Sequence, residues 1–267
     1  TRVPGSTSSL LAEQAAGRDV RIVYSPLDAL ALAQNNPDRQ IVFVGVGFET
    51  TTPLSAMAIK RAKALGLKNF SVLAIHKNMP NALEVIVNDP QLKLDALILP
   101  GHVSTIIGAE PYRFLAEKYG VPGVITGFEA VDVLQGIAMI MRQLHEGRAE
   151  IEIAYARGVM PEGNPVALAA IDEVFEVCPA MWRGLGEIPG SGYRIRDEFA
   201  AFDALKRFQP DVEPTQEPKG CRCGDILRGV MPPSECPLFR KVCTPENPVG
   251  PCMVSSEGSC AAYYRYY

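Results

Sequence analysis

Six of the seven cysteines lie close together near the end of the chain, in the spacing C-x-C-x12-C-x6-C-x8-C-x7-C. They are Cys221, Cys223, Cys236, Cys243, Cys252 and Cys260. Thiolates bind zinc and iron–sulfur clusters and also form redox-active disulfides. The spacing matches neither the paired C-x2-C knuckles of zinc ribbons nor the C-x2-C-x2-C run of bacterial ferredoxins. It therefore predicts a metal or redox site and leaves zinc, an iron–sulfur cluster and a disulfide-stapled fold open.

The number of thiols favours a redox function. Four ligands are enough for a tetrahedral zinc ion or a cubane cluster, so two thiols are left for another task. In an extended segment the side chains of Cys221 and Cys223 point to the same side, roughly 6.5 Å apart. That distance is awkward for a direct bond between their sulfurs. One of the two can bind a metal centre while the other lies beside it, and the spacing does not say which.

A second group of polar residues follows short apolar runs that read as strands. Glu49, His102 and Glu129 each occupy such a position. Ligand sites of open α/β sheets lie at the carboxyl ends of the strands, so these side chains are predicted to converge on one crevice. Thr50 and Thr51 can cap the next helix or bind an anionic ligand at its N-terminus. His102 is the candidate acid or base of this crevice.

Two further residues have plain structural explanations. His76 also follows a predicted strand, but a surface turn explains it equally well. Cys178, next to Pro179, is predicted to be a small buried hydrophobe. No G-x-x-x-x-G-K-[ST] loop is present and no G-x-G-x-x-G follows a predicted strand, so a nucleotide site is not supported.

Short apolar runs alternate with longer amphipathic segments over most of the chain. The runs are continuous and β-branched or aliphatic, as in strands buried on both faces of a parallel sheet. This rhythm predicts an open α/β architecture. The predicted strands cover residues 20–24, 41–46, 71–75, 96–99 and 123–126. The predicted helices cover residues 8–17, 28–35, 53–65, 82–87, 112–119, 130–146, 165–177 and 198–208.

Composition limits the partners. Lys plus Arg number 26 and Asp plus Glu number 30, which gives a net charge of −4. Nucleic-acid binders normally carry a basic excess, so no nucleic-acid partner is expected. The apolar stretches at 137–141 and 166–171 are far too short to span a bilayer. No secretion leader opens the chain, so we expect no membrane attachment and a reducing, cytoplasmic location.

Six sequence blocks occur in order along the chain: GFETTTP at 47–53, PGHVS at 100–104, GFE at 127–129, WRGLG at 182–186, CRCG at 221–224 and GPCMVSSEGSC at 250–260. Together they resemble the HypD family of [NiFe] hydrogenase maturation factors, and the resemblance covers essentially the whole chain.

The resemblance implies two Rossmann-like open-sheet α/β domains, the first one incomplete here, and a small, loop-rich C-terminal iron–sulfur domain. Residues 1–50 would be the remainder of the first domain, 51–147 the second, and 148–267 connecting helices and the cluster domain. A [4Fe–4S] cluster would be bound by Cys221, Cys236, Cys243 and Cys260. The redox-active pair beside it would be Cys223 and Cys252.

The resemblance also implies a scaffold and redox factor rather than a stand-alone enzyme. With the partner HypC, such a scaffold holds a second iron that receives one CO and two cyanide ligands, and HypE donates the cyanide. This chain lacks the family's Cys-Gly-Thr-His-Thr-His block, which supplies the cysteine that holds that iron, and its Cys-Pro-x-Cys block. A zinc-stapled interaction module and an iron–sulfur oxidoreductase acting on a small molecule are the alternatives.

Overall fold

The structure is a computed structural model that describes residues 3–5, 7–92, 94–212 and 218–267. The strands are β1 (Ile41–Gly45), β2 (Phe70–Ala74), β3 (Leu97–Pro100), β4 (Gly123–Thr126), β5 (Ile151–Ile153), β6 (Phe175–Trp182) and β7 (Gly186–Ile195). The helices are α1 (Leu10–Ala15), α2 (Pro26–Asn35), α3 (Thr52–Ala64), α4 (Met79–Val87), α5 (Gly101–Ile107), α6 (Arg113–Tyr119), α7 (Ala130–Glu146), α8 (Pro165–Val174), α9 (Ala204–Phe208), α10 (Cys223–Leu227) and α11 (Ser259–Tyr266).

Two small parallel sheets lie at the centre of the fold. β1 pairs with β2, with Ile41 opposite Phe70, and the second sheet has the order β3-β4-β5. Helices connect the paired strands: α3 joins β1 to β2, α5 and α6 join β3 to β4, and α7 joins β4 to β5. Parallel pairing requires such crossover connections. The predicted open α/β architecture is confirmed.

Strands β6 and β7 form a long antiparallel hairpin that the sequence did not predict. Its turn contains Gly184 and Gly186, whose φ angles are 84° and 77°. Glycine adopts this backbone conformation without steric cost, which explains the glycine-rich composition of the turn.

Three sequence predictions of local structure are wrong. The helix predicted over residues 198–208 is a 3-10 helix over Asp197–Phe202, and only Ala204–Phe208 is α-helical. The helix predicted over residues 165–177 ends at Val174, and β6 begins at the next residue. Residues 20–24, predicted as a strand, run irregularly beside β1. The backbone N–H groups of Tyr24 and Ser25 donate to the carboxylate of Asp28, which caps α2. The start of α2 thus uses two backbone N–H groups that would otherwise be free to donate to a neighbouring strand.

Segments distant in sequence share the first of two apolar cores. It is built from α2, α3 and β2 together with α8 and the β6–β7 hairpin, and it buries Leu30, Ile59, Phe70, Phe175 and Ile195. The second core packs α5 and α6 against β3 and β4 and buries Leu99, Tyr112, Leu115 and Ile125. The domain limits at residues 50 and 147 stay a prediction.

Among the residues that the structure describes, none of the helices combines the length and the apolar content that crossing a membrane requires.

Asn69 is predicted to be a stability determinant of the first core. Its buried Nδ2 donates to the backbone oxygens of Ala33, Asn36 and Arg39 at 2.8, 3.0 and 3.0 Å. Asn69→Ala leaves these acceptors without their donor, so the free energy of unfolding is expected to fall by about 1–3 kcal/mol in urea denaturation. Asn35→Ala, at the exposed end of α2, is the control and is expected to change it by less than about 0.5 kcal/mol. Equal effects of the two substitutions would contradict this role.

Candidate functional site

The clustered cysteines form the interior of the C-terminal region. Five of the six are buried, and Cys221 is half-buried against them. Short elements place three of them: α10 begins at Cys223, a 3-10 turn holds Cys252, and α11 carries Cys260 in its first turn. No disulfide links the cysteines of the described ranges. The region thus encloses a set of thiols rather than an aliphatic core.

Cys252 lies within hydrogen-bond distance of two other thiols. Its Sγ donates to the Sγ of Cys260 at 3.0 Å, and it also forms a hydrogen bond with Cys223. The hydrogen bond with Cys223 lowers the pKa of Cys252, but the hydrogen bond to Cys260 and burial outweigh it and raise the pKa to about 12. Cys252 therefore carries its proton at neutral pH.

Cys221 faces the other cysteines across a glycine. A Cβ on Gly250 would lie 2.7 Å from the Sγ of Cys221 and 3.8 Å from that of Cys252, so only glycine fits between them. Burial raises the pKa of Cys221, and the charges of the nearby thiolates of Cys223, Cys236 and Cys243 raise it further. The predicted ligands and the predicted redox pair therefore belong to one cluster of side chains.

The thiol cluster does not outline a site for a single metal ion. In the parts of the chain described here, no group of three or more His, Cys, Asp or Glu side chains could hold one. The 3.0 Å between the sulfurs of Cys252 and Cys260 is shorter than the roughly 3.8 Å that separates two thiolates on a tetrahedral zinc with bonds of about 2.3 Å. What the region offers is a buried set of soft donors without any histidine in residues 221–260. Such donors suit zinc and iron–sulfur groups alike.

The β6–β7 hairpin joins the thiol cluster to the α/β part of the chain. Its turn packs backbone to backbone against the segment that contains Cys221 and Cys223. The approach is so close that a Cβ on Gly184 would lie 2.7 Å from the Cα of Gly224. Two residues before Gly184, the Trp182 ring lies 6.0 Å from the Phe48 ring, next to Glu49. The hairpin therefore contacts the thiol cluster and Phe48, the residue before Glu49.

Glu49 is buried beside the start of α4. It is 1% exposed, and its Oε1 accepts from the backbone N–H of Met79 at 2.9 Å. Its Oε2 has no hydrogen-bond partner among the described residues. Burial raises the pKa of Glu49 to about 7, although the hydrogen bond from Met79 opposes this change. The carboxyl also contributes to the raised pKa values of Tyr112 and Tyr193, after burial.

His76 is buried in the structure, although its sequence position after a predicted strand is explained equally well by a surface turn. It is 1% exposed, its Nε2 lies 3.1 Å from the Oγ of Ser55, and its Nδ1 has no partner within the described ranges. Burial lowers the pKa of His76 to about 4, so the ring is neutral at physiological pH. His76 lines a cavity of about 160 Å³ together with Thr50 and Thr51. Its position at the end of the strand beside β1 was the available sequence signal.

His102 and Glu129 lie on the exposed rim of the second sheet. The His102 ring is 4.3 Å from the ring of Phe128, and the Glu129 carboxylate is 3.8 Å from Nη2 of Arg157. Arg157 is held by two hydrogen bonds of 2.6 Å to Asp132. Glu49 contacts a different, buried set of residues. The strand ends thus carry the three predicted side chains, but the first one points inward and the other two face solvent.

The threonines after Glu49 do not cap the helix that follows them. Thr51 is the N-cap residue of α3, yet no side chain caps that helix end. The hydroxyls of Thr51 and Thr52 instead donate to the backbone oxygen of Phe48 at 3.1 and 3.0 Å. Cys178, predicted to be buried, is half-buried, and burial raises the pKa of its thiol.

Comparison with known proteins gives the chain clear relatives. The sequence model of the family described as "HypD: Hydrogenase formation hypA family" matches residues 1–267. "Hydrogenase maturation factor HypD" of Rhodobacter capsulatus is 52% identical over 270 residues, which cover 99% of this chain and 72% of the relative. The protein of the same name from Cupriavidus necator is 50% identical over 273 residues, with coverage of 99% and 72%. A putative hydrogenase expression/formation protein of Methanocaldococcus jannaschii is 46% identical over 267 residues, with coverage of 99% and 74%.

Glu49 and His76 are predicted to have opposite effects on the way the free energy of unfolding changes with pH. The Glu49 pKa rises on folding from 4.5 to about 7, so its contribution is fully present below pH 4.5 and is lost as the pH rises through about 7. The His76 pKa falls from 6.5 to about 4, so its contribution is fully present above pH 6.5 and is lost as the pH falls through about 4. Each contribution is worth about 3 kcal/mol.

Chemical denaturation across this pH range separates the two groups. Glu49→Gln leaves the histidine contribution, so stability is expected to rise between pH 4 and 6.5. His76→Gln leaves the carboxyl contribution, so stability is expected to fall between pH 4.5 and 7. Parallel profiles for the two variants and the unsubstituted chain would show that neither group is buried as described.

Gly184→Ala is predicted to open the thiol cluster, because the added methyl group has no room against Gly224. Gly186→Ala is the matched control: its φ is also positive, but a Cβ there meets nothing within 4 Å. Both variants carry the same kind of backbone strain. The alkylation rate of the buried cysteines is expected to increase in Gly184→Ala relative to Gly186→Ala. Equal rates would mean that the hairpin turn does not hold the cysteine segment in place.

Proposed function

The chain belongs to the HypD family of hydrogenase maturation factors, and from this premise we propose that its C-terminal thiols hold a [4Fe–4S] cluster with a redox-active cysteine pair. The observation that carries the proposal is the packing of five buried cysteines and the half-buried Cys221 into one cluster. Sulfur donors without histidine also match the ligand chemistry of iron–sulfur clusters.

Four of the cysteines are proposed as ligands of the cluster: Cys221, Cys236, Cys243 and Cys260. The remaining Cys223 and Cys252 are proposed as the redox pair; Cys252 interacts with Cys223 and also lies 3.0 Å from the sulfur of the proposed ligand Cys260. When bound, the cluster would supply or accept single electrons beside this pair. Joining the pair as a disulfide releases two protons and two electrons, and reduction takes them up again. The proton on Cys252 must leave during oxidation, and its raised pKa opposes that loss.

The strand-end residues are proposed to serve the cargo, an iron atom that receives CO and cyanide. His102 is exposed and is placed to exchange protons with a bound species. Glu129 lies on the same rim beside Arg157, whose guanidinium is bound to Asp132. Glu49, Thr50 and Thr51 lie apart from this rim, and the Glu49 pKa of about 7 lets that carboxyl exchange a proton near neutral pH.

The family resemblance further supports a cytoplasmic scaffold that acts together with HypC-type and HypE-type proteins. Hydrogenase maturation by several factors fits a chain that presents a redox centre and a separate polar rim. In this proposal the hairpin contacts the segment that holds Cys223 and also Phe48, the residue before Glu49.

Iron and sulfide analysis of protein purified without air tests the proposal. About four irons and four sulfides per chain are expected, with broad visible absorption. Cys243→Ser is expected to lose the iron, whereas Cys223→Ser and Cys252→Ser are expected to keep it but to lose the reversible two-electron oxidation of the thiols. Cys178→Ser is the control and should retain both properties.

Three outcomes would count against the assignment. A colourless protein that contains zinc would indicate the zinc-stapled alternative. Loss of iron from Cys223→Ser or Cys252→Ser would mean that ligands and redox pair are divided differently. Retention of iron in Cys243→Ser would remove this residue from the ligand set.

A further inference from the structure

Cys252 contacts two other thiols of the cluster. Its Sγ lies 3.0 Å from the Sγ of Cys260, and it also interacts with Cys223. Close backbone packing holds the first contact, because a Cβ on Gly258 would lie 2.3 Å from the backbone oxygen of Cys252. Gly258 is the N-cap residue of α11, which carries Cys260 in its first turn. The two sulfurs therefore need to approach by only about 1 Å to reach an S–S bond length of about 2.05 Å.

The two partners of Cys252 have different tasks in the function proposed above. Cys223 is the proposed second half of the redox pair, whereas Cys260 is a proposed ligand of the cluster. A Cys260 whose sulfur is bonded to iron is not available for a disulfide. The partner that Cys252 takes on oxidation therefore depends on whether Cys260 is bound to iron.

We propose, on the basis of that function, that Cys252 is an exchange cysteine and that its disulfide partner changes when the cluster binds. In the chain without the cluster, oxidation joins Cys252 to Cys260. The oxidant is a low-molecular-weight disulfide: one protein thiolate attacks it, and the second then displaces the small thiol from the mixed disulfide. One protein disulfide forms, one small disulfide is reduced, and the two protons leave on the two small thiols.

Transfer of this disulfide frees Cys260 without net oxidation or reduction. The Cys223 thiolate attacks the sulfur of Cys252, and the Cys252–Cys260 bond breaks as the Cys223–Cys252 bond forms. Cys260 leaves with the electron pair of the broken bond as a thiolate, which is the form that binds iron, and the proton of Cys223 passes to solvent. Iron that binds the released Cys260 shifts the equilibrium toward the Cys223–Cys252 disulfide.

Mapping of the disulfide in the full chain tests the proposal. One sample is purified with a chelator that keeps it free of iron, another is purified without air with its iron, and both are treated with oxidised glutathione. Cleavage after Arg, Lys and Glu places Cys223, Cys252 and Cys260 in the separate peptides 223–228, 247–257 and 258–265. The iron-free chain is expected to link mainly 247–257 with 258–265. The iron-loaded chain is expected to lose this linked pair and to give 223–228 with 247–257.

Two variants of the iron-free chain separate the partners of Cys252. Cys260→Ser removes the preferred partner, so the Cys223–Cys252 disulfide is expected to form in its place. Cys243→Ser is the matched control: it removes another proposed ligand and is expected to keep the Cys252–Cys260 disulfide. The unsubstituted chain carries the main comparison, so the test does not depend on the folding of a variant.

The outcomes distinguish this proposal from the proposed function. A main Cys223–Cys252 disulfide in the iron-free chain would overturn the exchange and leave the redox pair as proposed. A disulfide from Cys252 to Cys221, or no disulfide at all, would also overturn it. Absence of iron from every preparation would contradict the cluster instead, and the disulfide of the iron-free chain would still decide between Cys223 and Cys260.

Discussion

Burial of thiols is the constraint on which the C-terminal region depends. Five cysteines supply more than half of the nine buried residues in its core, and four buried and five partly buried apolar residues accompany them. Short helices and turns of this kind bury little surface and gain little stability from it. A group that binds several of the sulfurs at once would link these turns, and its binding energy would contribute to folding. In this account, the ligand set and the structural core of the region are the same side chains.

The β6–β7 hairpin attaches the cysteine-rich region to the rest of the molecule. Its glycine turn lies against the backbone beside Cys223, and its strands pack into the first α/β core. An ion pair of 2.6 Å between Arg228 and Asp89 provides a second attachment, on the loop after α4. Both attachments lie within a few residues of a predicted cluster ligand or redox thiol. The thiol region is therefore attached to the α/β part of the chain by packed backbone and by an ion pair.

Sequence periodicity predicted the α/β architecture because continuous aliphatic runs and crossover helices are local features. The hairpin was missed because no helix-breaking residue separates the end of α8 from Phe175. The pairing of β6 with β7 also depends on tertiary contacts, which local sequence does not show. The burial of His76 was missed for a related reason. Gly45 leaves room for its ring, and Phe175 lies 5.7 Å away, yet both come from other parts of the chain.

The candidate site shows the same division between local and tertiary information. The rule for strand ends placed Glu49, His102 and Glu129 at the edges of the sheets, as the structure does. It does not give the direction of a side chain, so it did not separate the buried carboxyl from the two exposed groups. The cysteine spacing predicted a metal or redox site, and the structure packs the six cysteines into one cluster. The presence and the identity of a metal centre there stay a prediction, because both depend on chemistry that spacing does not encode.

A Mössbauer spectrum of protein enriched in ⁵⁷Fe and purified without oxygen addresses that identity most directly. The account predicts the signature of four sulfur-ligated irons that share their valence electrons. Absence of iron from a chain whose cysteine region is nevertheless folded, as shown by protection of its thiols from alkylation, would contradict it.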